Sequence, residues 1–211
     1  IDIGIHGVSQ RLSGLLDAPY IFQRYSRLVI DCNRPPGHPT SIAPLSDGTR
    51  VPANQNLSAA QAAPREQEIF WPYQKAIAGQ IARMRLSGRA PAVIAMHSFT
   101  PRHGDYPAPR PWHIGVLFNR DDRLARPLID LLEAEGDLTV GINEPYAVDD
   151  SGDYAVPVHC EKGGLLHVEL EIRQDLIDGT VGQSAWANRL ARLLPLALEA
   201  AAAAAIVDRA G

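Results

Sequence analysis

The most informative stretch of this chain is Arg27-Leu28-Val29-Ile30-Asp31-Cys32-Asn33-Arg34, which Pro35-Pro36-Gly37 follows at once. Its residues 28–31 are mostly apolar and predict a short buried strand that the turn residues end. In an open α/β sheet, ligands bind in the crevice beyond the carboxyl ends of the strands. Asp31, Asn33 and Arg34 are therefore candidates for a site, and Arg34 offers a fork of donors suited to a carboxylate. The alternative is a turn with a surface arginine and a capping Asx side chain.

Two later apolar runs also carry polar residues. Residues 92–96 lead directly into His97-Ser98, and the run 165–173 contains Glu169 and Glu171. Three strands would thus bring an Asp/Asn/Arg set, a histidine and a glutamate to one edge of a sheet. A metal-ligating histidine, a glutamate base and an arginine that binds carboxylate are the parts of a metal-dependent amide hydrolase.

Composition excludes several other classes of protein. A chain of 211 residues with 45% hydrophobic content is long enough to form one domain with a hydrophobic core. We expect residues 1–211 to form that single domain. The net charge of −4 and the scattered arginines argue against a nucleic-acid partner. No apolar run reaches the length of a membrane span, so no membrane partner is expected. The isolated Cys32 and Cys160 favour a reducing cytoplasm over a disulfide framework. Ile1 follows no methionine, and we expect an N-terminal segment to be missing.

The hydrophobic periodicity predicts an alternation of helices and strands. Helices are predicted over 3–16, 58–86 (with a break at Pro64), 123–135 and 183–207. Strands are predicted over 20–22, 28–31, 92–97, 112–118, 138–142 and 165–172. Long loops, 35–57, 100–111 and 143–164, separate some of them, and loops of this length are usually functional or mobile. The alternation predicts an α/β fold with a mixed, mostly parallel sheet flanked by helices.

With these residues laid out, the chain resembles the N-formylglutamate amidohydrolase family over essentially its whole length. The segments that carry the resemblance are specific only in combination. They are Gln23-Arg24-Tyr25-Ser26-Arg27-Leu28-Val29-Ile30-Asp31-Cys32-Asn33-Arg34-Pro35, Met96-His97-Ser98-Phe99-Thr100-Pro101, Arg110-Pro111-Trp112-His113-Ile114-Gly115-Val116-Leu117, Asn143-Glu144-Pro145-Tyr146 and His167-Val168-Glu169-Leu170-Glu171-Ile172-Arg173-Gln174-Asp175. That family is similar in fold to the zinc carboxypeptidases, so the resemblance implies a zinc-carboxypeptidase-like (phosphorylase/hydrolase-like) fold.

The resemblance also implies roles for individual residues. Asn33 and Arg34 match an Asp-x-Asn-Arg pattern that holds the carboxylate of the substrate, with Asp31 in support. His97, followed by Ser98, matches a histidine that ligates zinc. Glu171 matches the general base. Glu169 has the same parity along the strand, and the motif rather than the spacing selects Glu171.

Three further residues are candidates with two interpretations each. Arg173 shares the face of Glu171 and either orients that glutamate or binds substrate. Tyr146 and His159 lie in the loop 143–164, and each of them either lines a pocket or lies on the surface.

The remaining metal ligands of the family lie upstream of the Asp-x-Asn-Arg segment. Nothing before Asp31 matches them, so we expect them upstream of residue 1. His6, His103 and His159 lack ligand-like spacing.

The resemblance implies a metal-dependent hydrolase that cleaves N-formyl-L-glutamate to formate and glutamate, a step in histidine breakdown. The expected partner is thus a small acidic N-acyl amino acid, and the expected cofactor is zinc or another divalent metal. Two alternatives remain open. One is a different zinc carboxypeptidase-like amidase that acts on another acidic N-acyl amino acid. The other is a metal-free binding module on the same fold.

Overall fold

A four-stranded sheet organises the computed structural model, which describes residues 2–102, 104 and 108–210, with the backbone alone for 206–210. A small separate hairpin precedes this sheet in the chain. The hairpin strands are β1 (Leu45–Ser46) and β2 (Thr49–Arg50), and the strands of the main sheet are β3 (Val93–Phe99), β4 (Ile114–Leu117), β5 (Val140–Ile142) and β6 (His167–Arg173).

The strand order of the main sheet is β3-β6-β4-β5. Within the described residues, β6 pairs parallel to β3 and antiparallel to β4, and β4 pairs parallel to β5. The predicted α/β fold with a mixed, mostly parallel sheet is confirmed. Although β6 follows the other three strands in the chain, it lies between β3 and β4, and so it contributes to both halves of the sheet.

Helices pack on one face of the sheet and form the main core with it. Because side chains alternate along a strand, Val168, Leu170 and Ile172 of β6 enter this core, and Glu169 and Glu171 face the other way. The core-facing helices are α1 (Ile5–Leu16), α4 (Ala125–Ala134) and α5 (Thr180–Ala210), and the described residues also form α2 (Ala59–Arg65) and α3 (Trp71–Leu86). No helix among the described residues is long and apolar enough to cross a membrane.

The segment 143–164 covers the opposite face of the sheet at β4. Leu117 packs there against Val148 and Val156. The approach is closest at Gly115, where a Cβ atom would lie 2.1 Å from the carbonyl oxygen of Glu144. A glycine at this position therefore allows the segment to close over the polar face of β6. The segment also contains a π-helical turn, Val156–Cys160.

The strands predicted over 20–22 and 28–31 are wrong. Residues 27–29 form a turn, and residues 20–22 form neither a strand nor a helix. Side chains, and not a neighbouring strand, bond to the carbonyl groups of residues 28, 29 and 32. Asn54 donates to Leu28 (2.8 Å), Arg65 donates to Val29 (2.8 Å) and Gln74 donates to Cys32 (2.7 Å).

The helix predicted over 58–86 forms as a continuous helical segment, with a local change of winding where the break was expected. A π-helical turn, Glu66–Phe70, follows Pro64 and joins α2 to α3. Proline lacks the backbone N–H that a regular helix needs, and a π-turn accommodates such a local defect. It brings Phe70 into a small buried cluster with Ile30 and Cys32, so the helix supports the segment that carries Arg34.

Candidate active site

His97 and Glu171 occupy paired positions on the parallel strands β3 and β6. Residues in register on neighbouring strands project to the same face, so both side chains lie on the face away from the helical core. Glu169 precedes Glu171 by two residues and shares this face. The structure thus brings together the histidine and the glutamate that the sequence singled out, and it places a second carboxylate beside them.

The two glutamates are buried and incompletely hydrogen-bonded. Glu169 is 6% exposed and Glu171 is 7% exposed. Within the described residues, Oε2 of each has no hydrogen-bond partner. Burial raises the pKa of Glu171 to about 8. The positive charge of His97 opposes this rise, and the negative charge of Glu169 adds to it. Burial also raises the pKa of Glu169. Each side chain therefore retains an oxygen that can accept a proton or a hydrogen bond from a ligand.

Asp2 holds His97 in place, since His97 Nδ1 lies 2.9 Å from Asp2 Oδ2. Burial alone would lower the pKa of His97, but the bond to Asp2 and the charges of Glu169 and Glu171 raise this pKa to about 10. Burial alone would raise the pKa of Asp2, but the same bond lowers it. The neighbouring Ser98 donates from Oγ to the carbonyl of residue 3 (2.9 Å). Both residues thus anchor residues 2–3, just before α1, and Asp2 lies in no motif that the sequence reveals.

A zinc site of the expected kind takes three protein ligands and keeps one open position. Within residues 2–102, 104 and 108–210, no group of three or more His, Cys, Asp or Glu side chains is arranged to hold a metal ion. Nδ1 of His97 bonds to Asp2 instead. The described residues therefore do not fit a complete zinc site, and zinc ligation by His97 stays a prediction. His103 lies outside the described residues.

Arg34 lies in the turn after residue 31 and is held against the segment 143–164. Its Nη1 donates to Asp153 Oδ1 (2.5 Å), to the carbonyl of Gly152 (2.8 Å) and to the carbonyl of Asn33 (3.1 Å). Nε and Nη2 make no hydrogen bond with any described residue, and the side chain is 26% exposed. Its charge opposes the burial-driven rise in the pKa of Glu169. Arg34 therefore has one edge fixed by the protein and another free for an anion.

Asn33 holds the loop that fixes Arg34. Its Nδ2 donates to Asp153 Oδ1 (3.1 Å), and its Oδ1 accepts from the backbone N–H groups of Tyr154 (3.2 Å) and Ala155 (2.9 Å). The amide is thus engaged within the protein, and direct contact of Asn33 with substrate stays a prediction. The carboxylate of Asp31 supports the same turn by accepting the backbone N–H of Asn33 (2.9 Å).

Asp153 is a site residue that the sequence did not reveal. It accepts from both Arg34 and Asn33, and its second oxygen accepts the backbone N–H of Asp149 (2.9 Å). It lies in the run Asp149-Asp150-Ser151-Gly152-Asp153, in which three aspartates look alike. Asp153 differs from the other two aspartates in its bond to Arg34, which lies 119 positions away in sequence. No local sequence pattern encodes that contact.

The three other predicted residues bond to neighbouring parts of the protein. Nη1 of Arg173 lies 3.3–3.5 Å from the carbonyls of residues 110–112, so this side chain holds that segment beside β6. Tyr146 accepts from Arg110 Nη1 (2.9 Å), and the guanidinium lies over its ring. His159 Nε2 lies 2.7 Å from Gln74 Oε1, which links it to the turn that carries Cys32. Substrate contact by these residues stays a prediction.

Comparisons with known proteins give two kinds of match. A sequence model of the N-formylglutamate amidohydrolase family matches residues 1–178. The crystal structure of gene product Atu2144 from Agrobacterium tumefaciens is 36% identical, with a TM-score of 0.88, and the match covers 94% of this chain and 77% of that one. N-formylglutamate amidohydrolase from Ralstonia eutropha JMP134 is 20% identical over 68% of this chain and 55% of that one, and its TM-score of 0.48 is too low to support an inference. No curated protein matches the chain.

Proposed function

Because the chain belongs to the N-formylglutamate amidohydrolase family, we propose that it hydrolyses N-formyl-L-glutamate to formate and glutamate. The family comprises hydrolases of amide bonds, and its model matches residues 1–178. The observation that carries the proposal is the pairing of His97 with Glu171, whose buried Oε2 has no partner among the described residues. This arrangement places a proton acceptor on the polar face of the sheet, next to a positively charged histidine.

Glu171 is the proton-transfer group of the proposed reaction. It takes a proton from the attacking water and passes it to the nitrogen that leaves with glutamate. A general base works best when its pKa lies near the working pH, and burial brings the pKa of Glu171 to about 8. The paired His97 contributes positive charge beside the reacting carbonyl group, and Asp2 fixes its ring.

Arg34 binds a carboxylate of the substrate. Its free Nε and Nη2 form the bidentate edge that matches the two oxygens of a carboxylate. Asp153 and the carbonyl of Gly152 hold Nη1, and so they set the plane of the guanidinium before substrate arrives. Asn33 contributes by holding residues 153–155 in place.

The zinc expected from the resemblance enters no step of this proposal, since the described residues do not supply a complete set of ligands. The steps assigned to Glu171 and Arg34 rest on side chains of this chain alone. They concern proton transfer and substrate binding, and each can be measured separately.

The proposal is tested by formate release. The protein is incubated with N-formyl-L-glutamate, N-acetyl-L-glutamate and a C-terminal dipeptide, each with and without added zinc, and products are followed by proton NMR. We expect formate from the first compound and little turnover of the other two. Faster cleavage of the acetyl compound or the dipeptide would assign the protein to a different amidase activity. No turnover by folded protein under any condition would contradict the proposal.

A further inference from the structure

Arg110 lies at one end of the polar face that carries His97 and Glu171. Two residues further along β3 and β6, Phe99 and Arg173 form a register pair that faces the same way. The guanidinium carbon of Arg110 lies over the Phe99 ring, 5.9 Å from the ring centroid. The carbonyl of Arg110 accepts from Arg173 Nη1 (3.5 Å). Because residues two apart on a strand are separated by about 6.6 Å, Arg110 is a near neighbour of the paired histidine and glutamate.

Arg110 is a buried cation, 7% exposed, that forms no ion pair with a described Asp or Glu. Its Nη1 donates to the hydroxyl of Tyr146 (2.9 Å) and to the carbonyl of Thr100 (3.4 Å). Its Nε and Nη2 make no hydrogen bond with a described residue, and neither is fully buried. A buried charge is ordinarily paired with an opposite charge, and the rings of Phe99 and Tyr146 replace that partner only in part. Arg110 therefore lacks a counter-ion that an anionic ligand can supply.

Tyr146 adds a second donor beside this guanidinium. Its oxygen accepts from Arg110 and its O–H group donates to no described residue, so the hydroxyl proton is available to a ligand. Tyr146 is 43% exposed and belongs to the segment 143–164, which closes over the polar face at Gly115. A fork of N–H groups beside a hydroxyl donor is the arrangement that recognises a carboxylate.

We propose that Arg110 is a specificity-determining residue, which binds the side-chain carboxylate of the substrate together with Tyr146. The inference rests on the proposed function, because it places the amide of an N-formyl amino acid beside Glu171. In N-formyl-L-glutamate the side-chain carboxylate is farther from the formyl group than the α-carboxylate is, and Arg110 lies further along the face than Glu171. A neutral side chain leaves the buried cation without an anion, and the protein discriminates against such a substrate for that reason.

The test compares N-formyl-L-glutamate with N-formyl-L-glutamine, which has nearly the same shape and lacks the side-chain charge. We expect the wild-type protein to prefer the glutamate compound. Arg110→Met should lower kcat/KM for that compound about tenfold or more, the usual consequence of losing a charge-assisted hydrogen bond, and change kcat/KM for the glutamine compound less than about threefold. Tyr146→Phe keeps the ring beside the guanidinium and should lower kcat/KM for the glutamate compound about threefold or more.

Arg126→Met is the matched control, because Arg126 also lies over an aromatic ring, that of Phe118, and belongs to α4 on the other face of the sheet. We expect it to leave both kcat/KM values unchanged. An Arg110→Met protein that keeps the full preference for the glutamate compound overturns the inference and leaves the proposed function standing. Equal losses for the two compounds also overturn it, because they assign Arg110 to the support of the fold.

Calorimetric binding of glutarate and butyrate gives a readout independent of turnover. We expect glutarate to bind more tightly to the wild-type protein and the two acids to bind alike to Arg110→Met. An unchanged difference contradicts the inference even if no formyl compound is hydrolysed. If Arg110→Met does not fold, as judged by circular dichroism, Arg110→Gln keeps an N–H donor for Tyr146 and takes its place.

Discussion

His97 of β3 and Glu171 of β6 stand side by side at paired positions of two parallel strands, and they face the same side of the sheet. The relationship is fixed by the hydrogen-bonded backbone of the sheet and does not depend on a direct bond between the two side chains. Either side chain can therefore be changed while its neighbour stays in position. Variants at this pair should thus report on chemistry more than on folding.

Glu171→Gln should lower the rate of formate release by roughly 10²–10⁴-fold, the usual contribution of a positioned general base. Glutamine is nearly isosteric, and Oε2 of Glu171 loses no hydrogen bond within the described residues, so the fold should survive. Steady-state kinetics measures the rate, and urea unfolding measures the stability. Glu133→Gln, at an exposed position of α4, should leave both unchanged. Full activity of Glu171→Gln would move the base to Glu169 or to another group.

Asp153→Ala should lower the free energy of unfolding by about 1.5–3 kcal/mol, because Arg34 and Asn33 lose their shared acceptor. The double variant Asp153→Ala/Arg34→Met should lose less than the sum of the two single variants, since removing both partners leaves no uncompensated cation. Urea unfolding gives all three values. Asp130→Ala, at an exposed position of α4, should change stability by less than about 0.5 kcal/mol. Additive losses would show that the pair is not coupled.

Stability should fall on acidification, in part because of His159. Burial lowers the pKa of its imidazole below the ordinary value of 6.5. The unfolded chain therefore takes up a proton at this residue before the folded protein does. The contribution of neutral His159 is fully present above pH 6.5 and is lost as the pH falls from there through the lower folded pKa. In urea unfolding between pH 7.5 and 5.5, His159→Gln should lose less stability than the wild type. An equal loss would assign the pH dependence to other groups.

The 211-residue chain should retain clearly less than one zinc ion per molecule after equilibration with zinc and desalting. The described residues contain no group of three ligands, and a stable catalytic zinc site takes three. Elemental analysis by mass spectrometry measures the metal content. His97→Ala should give the same low value. Stoichiometric zinc that disappears in His97→Ala would show that His97 belongs to a complete site.

The alternation of apolar and acidic side chains between the two faces of β6 was predictable from its residues alone. Val168, Leu170 and Ile172 had to enter a core, and so Glu169 and Glu171 had to face away from it. The sequence also identified His97 at the polar end of an apolar run. The register that sets His97 opposite Glu171 depends on how two segments more than 70 residues apart pair, and no local pattern encodes it.

The error at residues 28–31 has a physical reason. The strand preference of apolar, β-branched residues depends on having cross-strand neighbours, and a strand also needs partners for its backbone groups. Here the side chains of Asn54, Arg65 and Gln74 supply them, and the segment forms a turn. Asp2 and Asp153 went unrecognised for a related reason, because their partners are 95 and 119 positions away in sequence.

The position of β6 in the sheet also determines when the protein can fold. As the chain leaves the ribosome, β3 and β4 are complete long before residues 167–173 are made, and yet each needs that strand as its neighbour. During synthesis both strands therefore expose unpaired edges, which are prone to associate with other chains. The polar face that carries His97 acquires Glu171 only with this last strand. Assembly of the sheet and assembly of the site are thus a single late event.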